Sequence, residues 1–172
     1  MTFDELLSVV PGLRKARRLN AALLRILLDR RRRECTWCGM TVPRGRIAWC
    51  SDKCVADFRE RCDPAASVKA VFRRDNGRCR RCGRDVEKSK RVYVAYLRDW
   101  PGNWRYPEQH NKVKVMLGFG RGGWWEIDHT IPVCEGGGLC TIDNLRLMCG
   151  ACHDDETRNL SRRQRRQREL SK

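Results

Sequence analysis

The chain has 172 residues, enough for one compact domain or for two small ones with tails. Its 37 Lys and Arg against 21 Asp and Glu leave a formal charge of +16, which excludes an acidic scaffold and points to a polyanionic partner. No apolar run approaches the about 18 residues that a membrane span requires, since Ala21 to Leu28 is already broken by Arg25.

The excess charge lies mostly at the two ends: residues 1–34 carry 9 basic and 4 acidic side chains, and residues 158–172 carry 7 and 1. The start contains Asp4 and Glu5 and lacks the basic, apolar and small-residue order of a secretory signal. A reducing compartment is therefore expected, the cytoplasm or a eukaryotic nucleus. There the 11 Cys are read as metal ligands before disulfides.

In chain order, Thr2 to Val10 predicts a short helix stopped by Pro11-Gly12. Leu13 to about Arg33 predicts a second, with Ala16, Leu19, Leu23, Ile26 and Leu27 at helical spacing. The Arg30 to Arg33 run makes its end a basic face. This extension suits a solvated amphipathic helix packed on the rest or on a second copy, a protein-partner surface, or an arm that tracks DNA. Cys35, Cys38, Cys50 and Cys54 follow as CxxC, 11 intervening residues and CxxxC. Four thiolates leave no open position, so this is a structural zinc site, a treble-clef-like finger over residues 35–66. Ser51 is placed to cap a helix carrying Cys54, Val55, Phe58 and Cys62, which Pro64 ends. Ser67 to Arg74 predicts another helix, stopped by Asp75-Asn76-Gly77.

Cys79 and Cys82 come next, and their counterparts Cys149 and Cys152 lie far downstream; together they form a second four-cysteine zinc site. The stretch 85–123 between them is the least legible. Arg91 to Leu97 reads as a strand, Trp100-Pro101-Gly102 and Gly118 to Gly123 as turns, and Glu108 to Leu117 as a short helix. His110 is read as an ordinary exposed histidine, and no chemistry is placed there. Cys62, Cys134 and Cys140 are left as buried small hydrophobes.

Residues 124–160 carry the chemistry. The apolar run into Asp128-His129 predicts a strand, Pro132 to Asp143 a loop with Gly136-Gly137-Gly138, Leu145 to Met148 a second strand, and Ala151 onward a helix bearing His153. This β-β-α arrangement, with Asp128-His129, Asn144 and His153 and the flanking CxxC pairs, resembles the zinc-bearing branch of the HNH nuclease family. Hydrolysis of a phosphodiester needs an activated water and charge stabilisation on the leaving oxygen. His129, neutral near its ordinary pKa of about 6.5, suits the general base. Asp128 and His153 suit one divalent ion, Mg or Mn, with the rest of its coordination left to water and phosphate. The resemblance implies that Asn144 locks the loop and orients His129, that the hairpin enters the minor groove, and that products carry 5′-phosphate and 3′-hydroxyl ends. It also makes branched or forked DNA the expected substrate.

A c-type haem reading of Cys149 to His153 is disfavoured, because both cysteines already have metal partners. Asp154, Asp155 and Glu156 stand where many members of the family carry basic residues. They are read as complements to the helix dipole, with weakened metal or phosphate binding as the sharper alternative. Beyond them Arg158, Arg162, Arg163, Arg165, Arg166 and Arg168 suit phosphate contacts on a helix that frays when free.

The expectation is an α+β, zinc-stabilised protein with a β-β-α metal hairpin and an N-terminal helical extension. Its parts are residues 1–34, the finger at 35–66, a nuclease domain at 67–160 and an Arg-rich end at 161–172. Its cofactors are two structural Zn and one catalytic Mg or Mn, and its activity is DNA nicking with weak sequence preference. The competing reading is a non-catalytic, zinc-dependent nucleic-acid-binding or recruitment protein.

Overall fold

The computed structural model of the chain describes residues 1–100 and 105–171. The turn expected at Pro101-Gly102 lies outside them. The fold is α+β, seven α-helices and one antiparallel two-stranded sheet among the described residues, and it divides into two compact units. No described helix is long and apolar enough to cross a membrane.

The first unit comprises Met1–Val71 and His129–Leu145. Helix α1 (Phe3–Val9) starts at Thr2, whose hydroxyl accepts from the Glu5 amide while the Glu5 carboxylate accepts from the Thr2 amide, a reciprocal capping box. The long helix expected from Leu13 to Arg33 is absent. A short 3-10 turn (Pro11–Lys15) gives way to extended Ala16, and α2 (Ala21–Leu27) begins only where the Asn20 side chain accepts from the Leu23 amide. The local cap outweighs the longer apolar period, and with the helix broken Leu19, Leu24 and Leu28 turn inward while Leu23 and Ile26 stay exposed. Phe3, Leu6, Leu7, Leu19, Leu24 and Leu28 are all buried and pack with Cys62 and Leu139, with Trp37 and Phe58 alongside.

Helix α3 (Asp52–Cys62) has Ser51 as its cap, accepting from the Cys54 amide. Pro64 ends α3 and also opens α4 (Pro64–Arg74), three residues before the predicted start, since a proline costs a first helical turn nothing. Arg61 on α3 stands over the Phe3 ring at 5.0 Å and pairs with Asp4 at 2.8 Å, which fixes α1 against α3.

The second unit comprises Phe72–Asp128 and Arg146–Lys172. Where a strand was expected at Arg91 to Leu97, the chain forms helix α5 (Val86–Asp99). Asp85 caps it by accepting from the Lys88 amide, and Val86, Ser89 and Tyr93 are buried at helical spacing. Val92 and Val94, within the expected strand, are exposed. Helix α6 (Pro107–Met116) falls where Glu108 to Leu117 predicted one. His110 on α6 is buried, not exposed, with its ring 5.2 Å from that of Tyr96.

Strands β1 (Trp125–His129) and β2 (Leu145–Cys149) form the sheet, and α7 (Gly150–Leu170) follows β2 directly. Leu147, Met148, Cys149 and Val86 make the second core, joined by Phe72, Trp125 and Ile127. The Asp75 carboxylate is buried and ties the end of α4 to β2: it accepts from the Leu147 amide at 2.8 Å and from Arg74 Nε at 2.9 Å. Burial pushes this carboxyl up, but Arg74, the Leu147 amide and Arg80 outweigh it and hold it below the usual carboxylate range.

Candidate metal centres and catalytic residues

Cys35, Cys38, Cys50 and Cys54 meet in the first unit, and Cys79, Cys82, Cys149 and Cys152 meet in the second, the sulfurs of each set within 4.8 Å of one another. A tetrahedral ion with Zn–S bonds of about 2.3 Å sets its sulfurs about 3.8 Å apart. The separations of Cys38 to Cys50 (3.5 Å), Cys50 to Cys54 (3.5 Å) and Cys82 to Cys149 (3.8 Å) fit that geometry. The chemistry fits too. Burial raises Cys35, yet the amides of Cys38, Cys50 and Trp37 donate to its sulfur and bring it down to about 6. Cys79 is likewise brought down to about 7 against its burial, by the amides of Cys149, Cys82 and Arg81. Burial pushes Cys54 up to about 12. Each set therefore holds one sulfur prepared as thiolate and others that need an ion to shed their protons.

In the second unit, the two-residue strand period puts Glu126 and Asp128 on one face of β1. Arg146 on β2 reaches Asp128 from Nη2 at 2.9 Å and Nε at 3.2 Å, both to Oδ2, so this pair does not take the other carboxylate oxygen. His153 lies one turn into α7 with Nδ1 3.5 Å from Glu126 Oε2. Two carboxylates and an imidazole are the donors a hard divalent ion takes, and a carboxylate against Nδ1 orients the ring's other nitrogen toward a metal. Among the described residues, only the two cysteine sets bring three or more donor side chains within 4.8 Å.

Asp154, Asp155 and Glu156 do not act as expected. Because α7 starts at Gly150, they fall beyond its first turn, where the dipole has faded. Asp154 instead accepts from the Arg121 amide at 2.9 Å and side chain at 3.2 Å. Asp155 pairs with Arg81 and Arg158, and Glu156 lies 3.9 Å from both Arg81 and Arg146.

His129 and Asn144 belong to the first unit, at either end of the loop 130–144. The Asn144 side chain closes the loop with three hydrogen bonds: Oδ1 accepts from the Ile131 amide at 2.8 Å, and Nδ2 donates to the carbonyls of Ile131 at 3.1 Å and Gly137 at 2.9 Å. The Thr130 amide donates to the Asn144 carbonyl at 2.8 Å. Two glycines make this closure possible. A Cβ on Gly137 would lie 1.8 Å from the Ile131 carbonyl oxygen, and one on Gly138 would lie 2.1 Å from that of Ala16. The Gly138 amide donates to the Arg14 carbonyl, so the 3-10 turn after α1 also anchors the loop. His129 is half-buried and lines a cavity of about 20 Å³ with Arg17, Glu60, Arg61 and Cys140, room for about one water.

Of the spare cysteines, Cys62 is buried and Cys140 half-buried, whereas Cys134 is exposed, contrary to expectation. The Arg-rich end is helical to Leu170 rather than frayed. Along it Arg158 pairs with Asp155 and Arg165 with Glu169, while Arg162, Arg163 and Arg166 are exposed on α7 and Arg168 lies in its last turn. Sequence reasoning missed Glu126 and Arg146. The first was legible in Glu126-Ile127-Asp128, whose outer members share a strand face; the second needed the sheet register.

Residues 119–159 match the family model described as HNH endonuclease. The chain is also similar to the protein named DNA annealing helicase and endonuclease ZRANB3: 31% identical to that of Mus musculus over 135 residues, 72% of this chain and 12% of the relative. To the Homo sapiens protein it is 30% identical over 119 residues, 63% of this chain and 11% of the relative, and to the Bos taurus protein 33% identical over 135 residues, 70% and 12%. The matches thus span about 12% of the length of these relatives. No solved structure gives a significant match. The segment that holds β1, the Asn144 loop, β2 and the first half of α7 belongs to the HNH endonuclease family.

Proposed function

We propose that this chain is a divalent-metal-dependent endonuclease that hydrolyses DNA phosphodiester bonds, nicking one strand per visit with weak sequence preference. The observation that carries the reading is the make-up of β1 and its loop. Glu126 and Asp128 share a face, with His153 beside the one and Arg146 on the other. His129 follows Asp128 by one peptide bond, at the head of a loop closed by three Asn144 hydrogen bonds.

His129 takes a proton from water as the water oxygen attacks phosphorus. The P–O3′ bond breaks on the opposite side, leaving 5′-phosphate and, once the departing oxygen is protonated, 3′-hydroxyl ends. Asp128 and His153 hold the divalent ion, Mg or Mn, which supplies charge neutralisation at the scissile phosphate and the leaving oxygen. Glu126 holds the His153 ring in orientation through Nδ1, and Asn144 holds the backbone that follows His129. The two cysteine sets hold structural zinc. Arg158, Arg162, Arg163, Arg165 and Arg166 contact phosphate without reading bases.

The name of the relatives, an annealing helicase and endonuclease of DNA, supports DNA as the substrate.

Arg146 on Asp128 favours a second reading, a DNA-binding module whose ligand carboxylate is held by a guanidinium instead of an ion. Cleavage of supercoiled plasmid separates the two. Activity abolished by EDTA, restored by Mn or Mg and lost in Asp128→Ala and His153→Ala supports the nuclease. Salt-sensitive binding with no cleavage under any metal supports the module.

A further inference from the structure

We propose that the strap at residues 14–18 is the clamp that seats the DNA backbone at the His129 loop. The proposal rests on the nuclease reading for its choice of DNA and adds which surface of this chain holds the strand where cleavage occurs.

Arg14-Lys15-Ala16-Arg17-Arg18 carries a cation at every position but one, and no acid stands between Glu5 and Asp29. Its backbone is pinned at both ends. The Gly138 amide donates to the Arg14 carbonyl at 2.7 Å, and the Leu19 amide donates to the Cys62 carbonyl at 3.1 Å. The strap lies so close to the loop 130–144 that a Cβ on Gly138 would fall 2.1 Å from the Ala16 carbonyl oxygen and 2.6 Å from that of Arg14. Leu13, Ala16 and Leu19 supply the packing, against the core of α1 and α2. Arg14, Lys15, Arg17 and Arg18 are all exposed, and among the described residues no hydrogen bond or ion pair holds any of their side chains.

Like charges crowded on a backbone fixed at both ends repel one another, and joining α1 to α2 needs none of them. A polyanion answers that charge, and guanidinium groups suit phosphate oxygens in particular. The position of the strap gives it a role beyond affinity. Arg17 lines the same small cavity as His129, where the carboxylate of Glu60 is engaged by the Ile142 amide at 3.4 Å. From residue 14 to residue 18 the chain reaches at most about 14 Å, so the strap faces about four phosphates of one strand, at about 3.4 Å of duplex axis each. Contacts of this kind fix register and orientation without reading bases. The strap therefore presents a strand to His129 whatever its sequence.

The test uses the full zinc-loaded chain. Affinity for a labelled duplex is measured across a salt series in a His129→Ala background, with and without Arg14→Gln, Lys15→Gln, Arg17→Gln and Arg18→Gln together. A charge-matched control carries Arg32→Gln, Arg44→Gln, Arg59→Gln and Lys69→Gln, exposed cations of the same unit. Since each phosphate contact contributes about 0.9 to the slope of log affinity against log salt, the slope is expected to become shallower by about two to four in the strap variant and by less than about one in the control. With His129 restored, single-turnover nicking at saturating protein is expected to fall by about tenfold or more in the strap variant and to stay within about twofold of the parent in the control. An unchanged slope in the strap variant, or equal changes in both variants, overturns the proposal. So does a shallower slope with an unchanged saturated rate, because the strap would then bind DNA without seating it. A parent that nicks nothing sinks the nuclease reading, and the slopes alone then decide the clamp. Should the strap variant lose its zinc, Arg17→Gln with Arg18→Gln is compared in the same way with Arg44→Gln and Lys69→Gln.

Discussion

Asn144 spends both of its N–H donors on carbonyls of its own loop and accepts from the Ile131 amide, so its N–H groups are committed to holding that loop. In the proposed mechanism its contribution is to where His129 points. Asn144→Ala is predicted to cost about 1–3 kcal/mol of stability and to slow single-turnover cleavage by roughly 10- to 100-fold. Asn144→Asp does no better, since an oxygen would then face the carbonyls of Ile131 and Gly137; parental cleavage in either variant would contradict the role. Glu126 acts one step from the ion, and Glu126→Gln is predicted to weaken Mn binding by roughly 10- to 100-fold, read by titration without DNA. An unchanged Mn affinity removes Glu126 from the site.

Asp75 gives the pH dependence a sign. Its folded carboxyl lies below the ordinary range, so its contribution to stability is complete above about pH 4 and is lost as pH falls through the folded value. Asp75→Asn is predicted to destabilise the protein by about 1.5–3 kcal/mol at neutral pH. The gap in Tm between variant and parent should close on acidification; a gap that widens has the linkage backwards.

At the level of elements, the sequence was most legible where chemistry dictates spacing. Ser51 before Cys54, the paired cysteines and Asp128-His129 ahead of β2 each carry a local rule, and the corresponding elements lie where that rule puts them. It was least legible where two periods competed. Val92 and Val94 alternate as a strand would, yet the Asp85 cap and the buried Ser89 and Tyr93 make α5 a helix. Likewise a leucine period ran through Leu13 to Leu27 and concealed the Asn20 cap that divides it. Burial decided both cases, and burial is a property of the partner elements, which a local window does not contain.

The two cysteine sets reach into the apolar cores of their units: Cys35 and Cys54 are buried with Val42, Trp37 and Trp49 alongside, and Cys79 and Cys149 with Val86, Leu147 and Met148. Elemental analysis is predicted to find two zinc per chain after loosely bound metal is removed, and fewer than one contradicts the paired scheme. Stripping that zinc with a strong chelator should abolish the cooperative thermal transition, because binding energy at such sites is folding energy.

For the molecule as a whole, eight thiolates and two Zn²⁺ subtract four from the formal +16, so about +12 remains for a phosphate backbone. Asp128, Arg146 and His153 lie in the second unit, and His129 and Asn144 in the first. This division follows from a boundary that runs within β1 and β2, which no reading of composition could reveal, although Asp128-His129 as adjacent residues was plain from the start. In the proposed mechanism the basic ends and the Arg-rich α7 supply affinity and His129 supplies turnover, so the two are separable by substitution. The measurement that addresses this most directly is nicking of supercoiled plasmid with Mn by the parent and by His129→Ala, alongside the affinity of each for the same DNA. The account predicts cleavage by the parent alone with equal binding by both; equal cleavage by parent and variant would contradict it.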